Sequence, residues 1–319
     1  MFPLVSSLIL YTYIAAGPYL RKKTFFHYFQ ADKKVSLWHE LKVLSFSRAL
    51  SHVYGSLFLS LFLKVILNIL GGLMYLETTR KDRNQNSSSS IFPATSPAST
   101  ATAVGLSAKV QEKYLALCEL FIAQGVPEIC RHFKRSVSQR VKNLDLKEKL
   151  SIIDIEVLIN DIIKIAENEE PPQSESNPLR NPCKILLQVN HLQMSDLDQS
   201  ESDSLKQLIA NAMDIFETPD FKSVIHDAAS VGLSTVLDQL TESLNNSRAA
   251  KTEDDSFVNL SELQLPVAKF IPLLNNLVRD HPRSKSGPPD PVLSWLSKLE
   301  LTHRFSVNVY EAFCQPQTC

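Results

Sequence analysis

The chain has 319 residues, 44% hydrophobic and 21% charged, with 33 Lys and Arg set against 34 Asp and Glu. This is ample core material for one large domain or two smaller ones, and a formal charge of -1 argues against nucleic-acid binding driven by bulk positive charge. Eight glycines are too few for the turns of a barrel or sandwich of this length, so the leucine-rich runs favour an all-α fold.

The first segment, "MFPLVSSLILYTYIAAG", is apolar and is followed by "RKK" at 21–23. A secretory signal carries its positive charge before the apolar run, the reverse of this order. Residues 4–16 fall short of the roughly 20 that a comfortable bilayer span needs. Residues 1–32 are therefore expected to form an apolar and basic segment that anchors weakly at most.

A helix is predicted from Ser36, a candidate N-cap, through Leu37, Leu41, Leu44, Leu50 and Leu57 to about Thr78. That is about 60 Å of helix. Within it "GSLFLSLFLKVILNILGGLMYL", 55–76, is long enough to cross a bilayer. Apolar residues contribute roughly -0.3 to -0.6 kcal/mol each to insertion and a central lysine costs about +2.5 to +3.5, so Lys64 does not exclude a span. Two features weigh against one. The amphipathic helix runs into the segment unbroken, and basic residues flank both its ends: Arg48, then Arg80, Lys81 and Arg83. Lys64 then snorkels or is paired, and Gly71-Gly72 permit a kink or a close helix crossing.

A Ser-, Thr- and Pro-rich loop is expected near 80–106. A helix follows from about Ser107 to Asn143. "DLKE" predicts a cap formed by Asp145 and Glu148, opening a helix that ends before a second loop at 168–182. "CKILLQV", 183–189, reads as a strand or part of a turn. Helices are predicted at 203–217 and at 218–244, the latter with Thr218 as N-cap and Pro219 in the first position. Another covers 265–280, and a last one starts at Asp290-Pro291 and runs to Phe313.

Motifs for chemistry do not emerge. The eight histidines form no H-E-x-x-H, and no G-x-S-x-G, P-loop or G-x-G-x-x-G occurs. The five cysteines form no C-x-x-C and read as free thiols. No enzyme activity, cofactor, metal, nucleic acid or small-molecule substrate is expected. Interest falls instead on Trp38, one of two tryptophans, with Lys34 and Lys42 four residues to either side. An indole flanked by lysines suits docking of an amphipathic acidic helix. The alternative is an indole that plugs the end of a bundle.

The stretch "LWHELKVLSFSRALSHVYGSLFLSLFLKVILNILGGLMYLE" resembles the peroxin-3 family of peroxisomal membrane biogenesis factors. "ETPDFKSVI", "LPVAKFIPLLN" and "NVYEAF" follow in the family's order, so the resemblance runs from about Lys34 to Gln315. It implies an elongated all-α bundle with one very long central helix, residues 33–319 facing the cytosol from the peroxisomal membrane. It also implies a docking receptor for peroxin-19, the chaperone of newly made peroxisomal membrane proteins, with membrane lipids as a further candidate partner. The partner's N-terminal amphipathic helix would lie in a groove lined by Trp38, Leu41 and Lys34, with Lys269 of "LPVAK" brought from a separate segment. The resemblance places 55–76 in the core of a soluble bundle. The competing readings are an anchor-less scaffold or tether, and a polytopic membrane protein using residues 4–16 and 55–76.

Overall fold

The structure, a computed structural model, describes residues 31–87, 106–169, 177–180, 196–249, 263–278 and 291–315. The N-terminal segment, the apolar piece 183–189 and most of both expected loops lie outside the described residues. The fold is all-α, as expected. Its elements are α1 (Ala31–Ser87), α2 (Ala108–Leu120), a π-helical turn (Phe121–Gly125), α3 (Val126–Val141), β1 (Lys149–Leu150), α4 (Ile152–Asn168), α5 (Gln199–Glu217), α6 (Pro219–Ala249), β2 (Leu265–Pro266), α7 (Val267–Leu277), α8 (Pro291–Lys298) and α9 (Glu300–Cys314). The two short strands pair antiparallel, Lys149 with Pro266 and Leu150 with Leu265.

The long helix is longer than its apolar pattern. α1 has 57 residues, about 85 Å. Ser36 lies inside it rather than at its cap, and residues 80–87, expected as loop, are helical. This extension has no apolar period in its sequence; Glu77 pairs with Lys81 one turn on, and no Gly or Pro intervenes.

Other boundaries also move for local reasons. Ser107 caps α2 as expected, its Oγ accepting from the Val110 amide at 3.3 Å. The predicted run to Asn143 is interrupted by the π turn, just before Pro127, which has no N–H for the i→i−4 ladder. Asp145 does not cap a helix. Its Oδ1 accepts from the Lys147 amide at 3.0 Å and closes a turn. The capping box lies further on: the Asp154 amide donates to Ser151 Oγ at 3.1 Å, and the Ser151 amide donates to Asp154 Oδ2 at 2.8 Å. Asp198 and Glu201 form the same box on α5, four residues before the predicted 203–217 helix begins. Thr218 does cap α6, accepting from the Phe221 amide at 3.2 Å. The predicted final helix is divided at Leu299 into α8 and α9.

Contacts gather into two units. The first holds the described residues of 1–59, 122–182 and 225–299. Every residue of α1 from Ser45 to Leu59 is buried in it, the pattern of a helix enclosed on all sides. Buried in the same unit are Phe133 and Val137 of α3, Ile155 and Ile162 of α4, and Phe270 and Leu274 of α7, all fully or almost fully. The ring of Phe133 lies 4.9 Å from that of Tyr54. Arg140 reaches across from α3 with Nε and Nη2 at 3.1 and 3.0 Å from Asp161 Oδ2 of α4. His132, fully buried on α3, faces the end of α4: its Nε2 is 2.7 Å from the Ala166 carbonyl, which also accepts from the Asn177 amide group. Nδ1 lies 3.8 Å from Glu169 Oε2.

The second unit holds the described residues of 60–121, 183–224 and 300–319. Leu61, Val65, Ile66 and Ile69 of α1 are fully buried there. A chain of rings joins its helices: Phe62 to Phe121 at 4.6 Å, Phe62 to Phe216 at 5.3 Å, Phe216 to Phe221 at 5.0 Å and Phe221 to Phe305 at 5.8 Å. Lys64 Nζ donates to Thr302 Oγ1 at 3.0 Å, and burial pushes its ammonium pKa down. Asn68 donates to the Ser306 carbonyl at 2.8 Å. Among the described residues α1 is the one helix long and apolar enough to cross a membrane, yet 61% of its most apolar window is buried inside the structure. The 55–76 stretch packs as core.

Gly71-Gly72 make the close crossing that the sequence permits. A Cβ on Gly72 would sit 2.8 Å from Phe313 Cβ and 3.0 Å from the Phe313 carbonyl carbon of α9, whereas one on Gly71 would meet only the Tyr310 ring at 3.5 Å. Gly72→Ala is therefore expected to destabilise by about 1–2 kcal/mol, because overpacking outweighs the gain in helix propensity. Gly71→Ala is expected to be neutral or to stabilise by up to about 1 kcal/mol. Thermal melts of the two variants check this pair, and equal shifts would show that the crossing is loose.

His132 generates a pH dependence. Burial, the largest influence, lowers its pKa below the ordinary 6.5, against the opposing pull of the Ala166 bond and Glu169. Arg135 adds to the lowering and Glu128 opposes it. The unfolded chain therefore binds this proton more readily than the folded one. The stabilisation is complete above the ordinary imidazole range and is lost as pH falls through it toward the lowered folded value. Urea midpoints at about pH 7.5 and about pH 5.5 should differ, with the lower value at acid pH. His132→Gln should reduce that difference; an unchanged difference would assign it to other groups.

Candidate functional site

The first turns of α1 depart from the full burial that runs from Ser45 to Leu59. Val35 is 52% exposed and Trp38 is 37% exposed. Val35 and Trp38 are three residues apart, on one side of the helix. Lys34, Leu37 and Leu41 are half-buried around them. One turn later the helix disappears into the core: Lys42 is 1% exposed, and complete burial begins at Ser45. The indole thus stands on the last open surface before α1 enters the first unit.

Lys34, Trp38 and Leu41 share a face by their spacing, as the sequence implied. Lys42 does not join Lys34 beside the indole as expected. Its ammonium turns inward and donates to the backbone carbonyl of Leu144, in the turn between α3 and β1. Burial lowers its pKa, while the Asp145 and Glu148 carboxylates of the same turn oppose that shift.

Lys269 is exposed on the first turn of α7. That helix begins after Pro266 with no side-chain cap, so its leading amides need partners. The same turn supplies them. The Val267 amide donates to the Glu148 carbonyl at 2.9 Å and the Ala268 amide to the Leu146 carbonyl at 3.0 Å. The β1–β2 pairing extends the tie. Arg48 Nη2 donates to the Val278 carbonyl, just past the other end of α7. The segment bearing Lys269 is thus fastened to α1 at both ends, through Lys42 and its turn at one and through Arg48 at the other.

Sequence reading missed Val35, whose i, i+3 spacing to Trp38 was the available signal. It also missed the 144–148 turn, whose part in the site comes from backbone carbonyls that no side-chain motif reports. The surface offers an apolar strip with an aromatic side chain, Val35 and Trp38, beside Lys34; Lys269 lies exposed on the segment tied to α1 through the 144–148 turn. Nucleophilic groups are poorly placed for reaction. Burial pushes the Cys118 thiol up to about 12 and the Cys130 thiol up to about 11, so both stay protonated near neutrality. Among the described residues no group of three or more His, Cys, Asp or Glu is arranged to hold a metal ion.

Comparison with known proteins gives the lineage. The sequence profile of the Peroxin-3 family matches residues 27–312. Peroxisomal biogenesis factor 3 of Mus musculus is 27% identical over 291 residues, which cover 90% of this chain and 73% of that protein. The Homo sapiens protein of the same name is 27% identical over 294 residues, with the same coverage of each chain. Peroxisome biogenesis protein 3-1 of Arabidopsis thaliana is 23% identical over 270 residues, covering 80% of this chain and 66% of its own. With a family profile matched from Lys34's neighbourhood through α9, the chain belongs to the peroxin-3 family.

Proposed function

We propose that this chain serves peroxisome biogenesis as a docking receptor. It binds the N-terminal amphipathic helix of the peroxin-19 chaperone and so allows insertion of peroxisomal membrane proteins. Family membership and the names of its relatives support the role in biogenesis. The observation that carries the docking role is Trp38, which stands 37% exposed beside an exposed Val35 on a helix otherwise enclosed from Ser45 to Leu59. A large apolar side chain kept at the surface of so well buried a helix has burial energy to give to a partner.

The mechanism is binding, without a chemical step. Trp38 and Leu41 take the apolar face of the incoming helix, and Lys34 and Lys269 meet its acidic margins. The lysines guide encounter and register, while the buried anchors carry most of the affinity. In this reading residues 33–319 face the cytosol at the peroxisomal membrane and residues 1–32 contribute a weak anchor. The inward packing of 55–76 counts against a polytopic arrangement.

Trp38→Ala is expected to cost about 2–4 kcal/mol of binding to an N-terminal peroxin-19 peptide, a loss of about 30- to 1,000-fold, while the melting temperature stays near that of the native chain. Calorimetry beside a thermal melt checks this. A folded Trp38→Ala variant that binds with native affinity would remove the residue from the site. Lys34→Ala and Lys269→Ala should cost less, about 0.2–1 kcal/mol each. Their effects should shrink as salt is raised, because exposed charges are screened. Effects that stay constant with salt would mean that the lysines act by packing.

A further inference from the structure

A lysine enclosed in an all-α core is a costly choice. An aliphatic residue would fill the same space without desolvating an ammonium, so the charge needs a purpose that packing does not supply. At Lys42 its partners identify that purpose. The ammonium grips the Leu144 carbonyl, and Asp145 and Glu148 of the same turn supply the compensating charge. The turn is also closed on itself, with the Glu148 amide donating to the Asp145 carbonyl at 3.2 Å and the Lys147 amide to Asp145 Oδ1 at 3.0 Å. Two of its other carbonyls, those of Leu146 and Glu148, cap the first two amides of α7. A single series of hydrogen bonds therefore leads from α1, one turn past Trp38, through the turn to the residue immediately before Lys269.

We infer that Lys42 is a positioning residue of the docking surface: it holds the Leu144–Glu148 turn against α1, and that turn fixes where the first turn of α7 presents Lys269. Lys42 itself touches no partner. The inference rests on the docking function proposed above for its binding readout, and on the hydrogen bonds alone for its structural readout.

Two measurements on the full chain separate these. The first is amide hydrogen exchange without any peptide. In Lys42→Met the Ala268 amide should exchange about ten-fold faster than in the native chain, while the amides of Ile159 and Ile162 in α4 keep native protection. Unchanged protection at Ala268 would overturn the inference. Should Lys42→Met not fold, Glu148→Gln, a change at an exposed side chain, takes its place. It removes one of the two opposing carboxylates and should speed Ala268 exchange by a smaller factor; no change there would again overturn the inference.

The second is a double-mutant cycle read by calorimetry with the peroxin-19 peptide. Lys269→Ala should weaken binding about two- to five-fold in the native background and have no further effect in Lys42→Met. Trp38→Ala should keep its full fold-loss in both backgrounds. General loosening of the fold would leave the Lys269 effect in place, so an equal Lys269→Ala loss in the two backgrounds contradicts a positioning role. If the native chain does not bind the peptide, the docking proposal fails, and Ala268 exchange alone decides the role of Lys42.

Discussion

Two cations of one helix hold the backbone of another. Lys42 reaches the Leu144 carbonyl in the turn that caps the start of α7, and Arg48 reaches the Val278 carbonyl beyond its end. Both come from α1, where it is passing from open surface to full enclosure, and both are almost wholly buried. A hydrogen bond from a charged donor to a carbonyl is stronger than a neutral one, and in a dry setting its loss leaves an uncompensated charge. Together with the burial of Phe270, Ile271 and Leu274 and the β1–β2 pairing, these contacts tie the segment bearing α7 to α1.

The same helix keeps most of a long apolar stretch inside the protein. Residues 55–76 have the length and composition of a membrane span, and helices of the protein cover most of that surface instead. The two longest polar side chains inside the stretch have partners on α9: Lys64 bonds Thr302 and Asn68 bonds Ser306. Gly72 lets α9 come close enough to cover the end of the stretch. The unbroken burial from Ser45 to Leu59 gives the exposure of Val35 and Trp38 its meaning, since a partly open indole on a half-open helix would be unremarkable.

Much of this was legible in the sequence because it follows from local chemistry. Ser107 and Thr218 cap their helices as their side chains dictate. The Gly71-Gly72 pair marks a close crossing, and the spacing of Lys34, Trp38 and Leu41 puts them on one face. The misreadings have physical reasons too. Residues 80–87 lack an apolar period, but the helix continues into them, where Lys81 pairs with Glu77 one turn back and no Gly or Pro breaks the run. Asp145 has the right chemistry for a cap but spends it on a turn, and Ser151 does the capping six residues later. Lys42 shares its helical face with Lys34 and Trp38, so spacing could not reveal that its charge points inward. Its partner is a carbonyl 102 residues away, beyond the reach of any local pattern. Lys269 was reached by resemblance alone, since nothing within its own segment connects it to α1.

The account makes the open end of α1 the place where the partner helix docks. A second exposed apolar group, Leu67, Met74 and Tyr75, lies further along the same helix and offers an alternative location. The chain's two tryptophans allow a direct choice. Trp38 lies at the proposed site, whereas Trp295, half-buried, lies against Gly232 in the first unit. Nuclear magnetic resonance of the indole N–H groups during titration with the N-terminal peroxin-19 peptide is the decisive measurement. The account predicts that the Trp38 signal moves and saturates at the calorimetric affinity while the Trp295 signal stays in place. A stationary Trp38 signal, with shifts at Leu67, Met74 and Tyr75 instead, would contradict it.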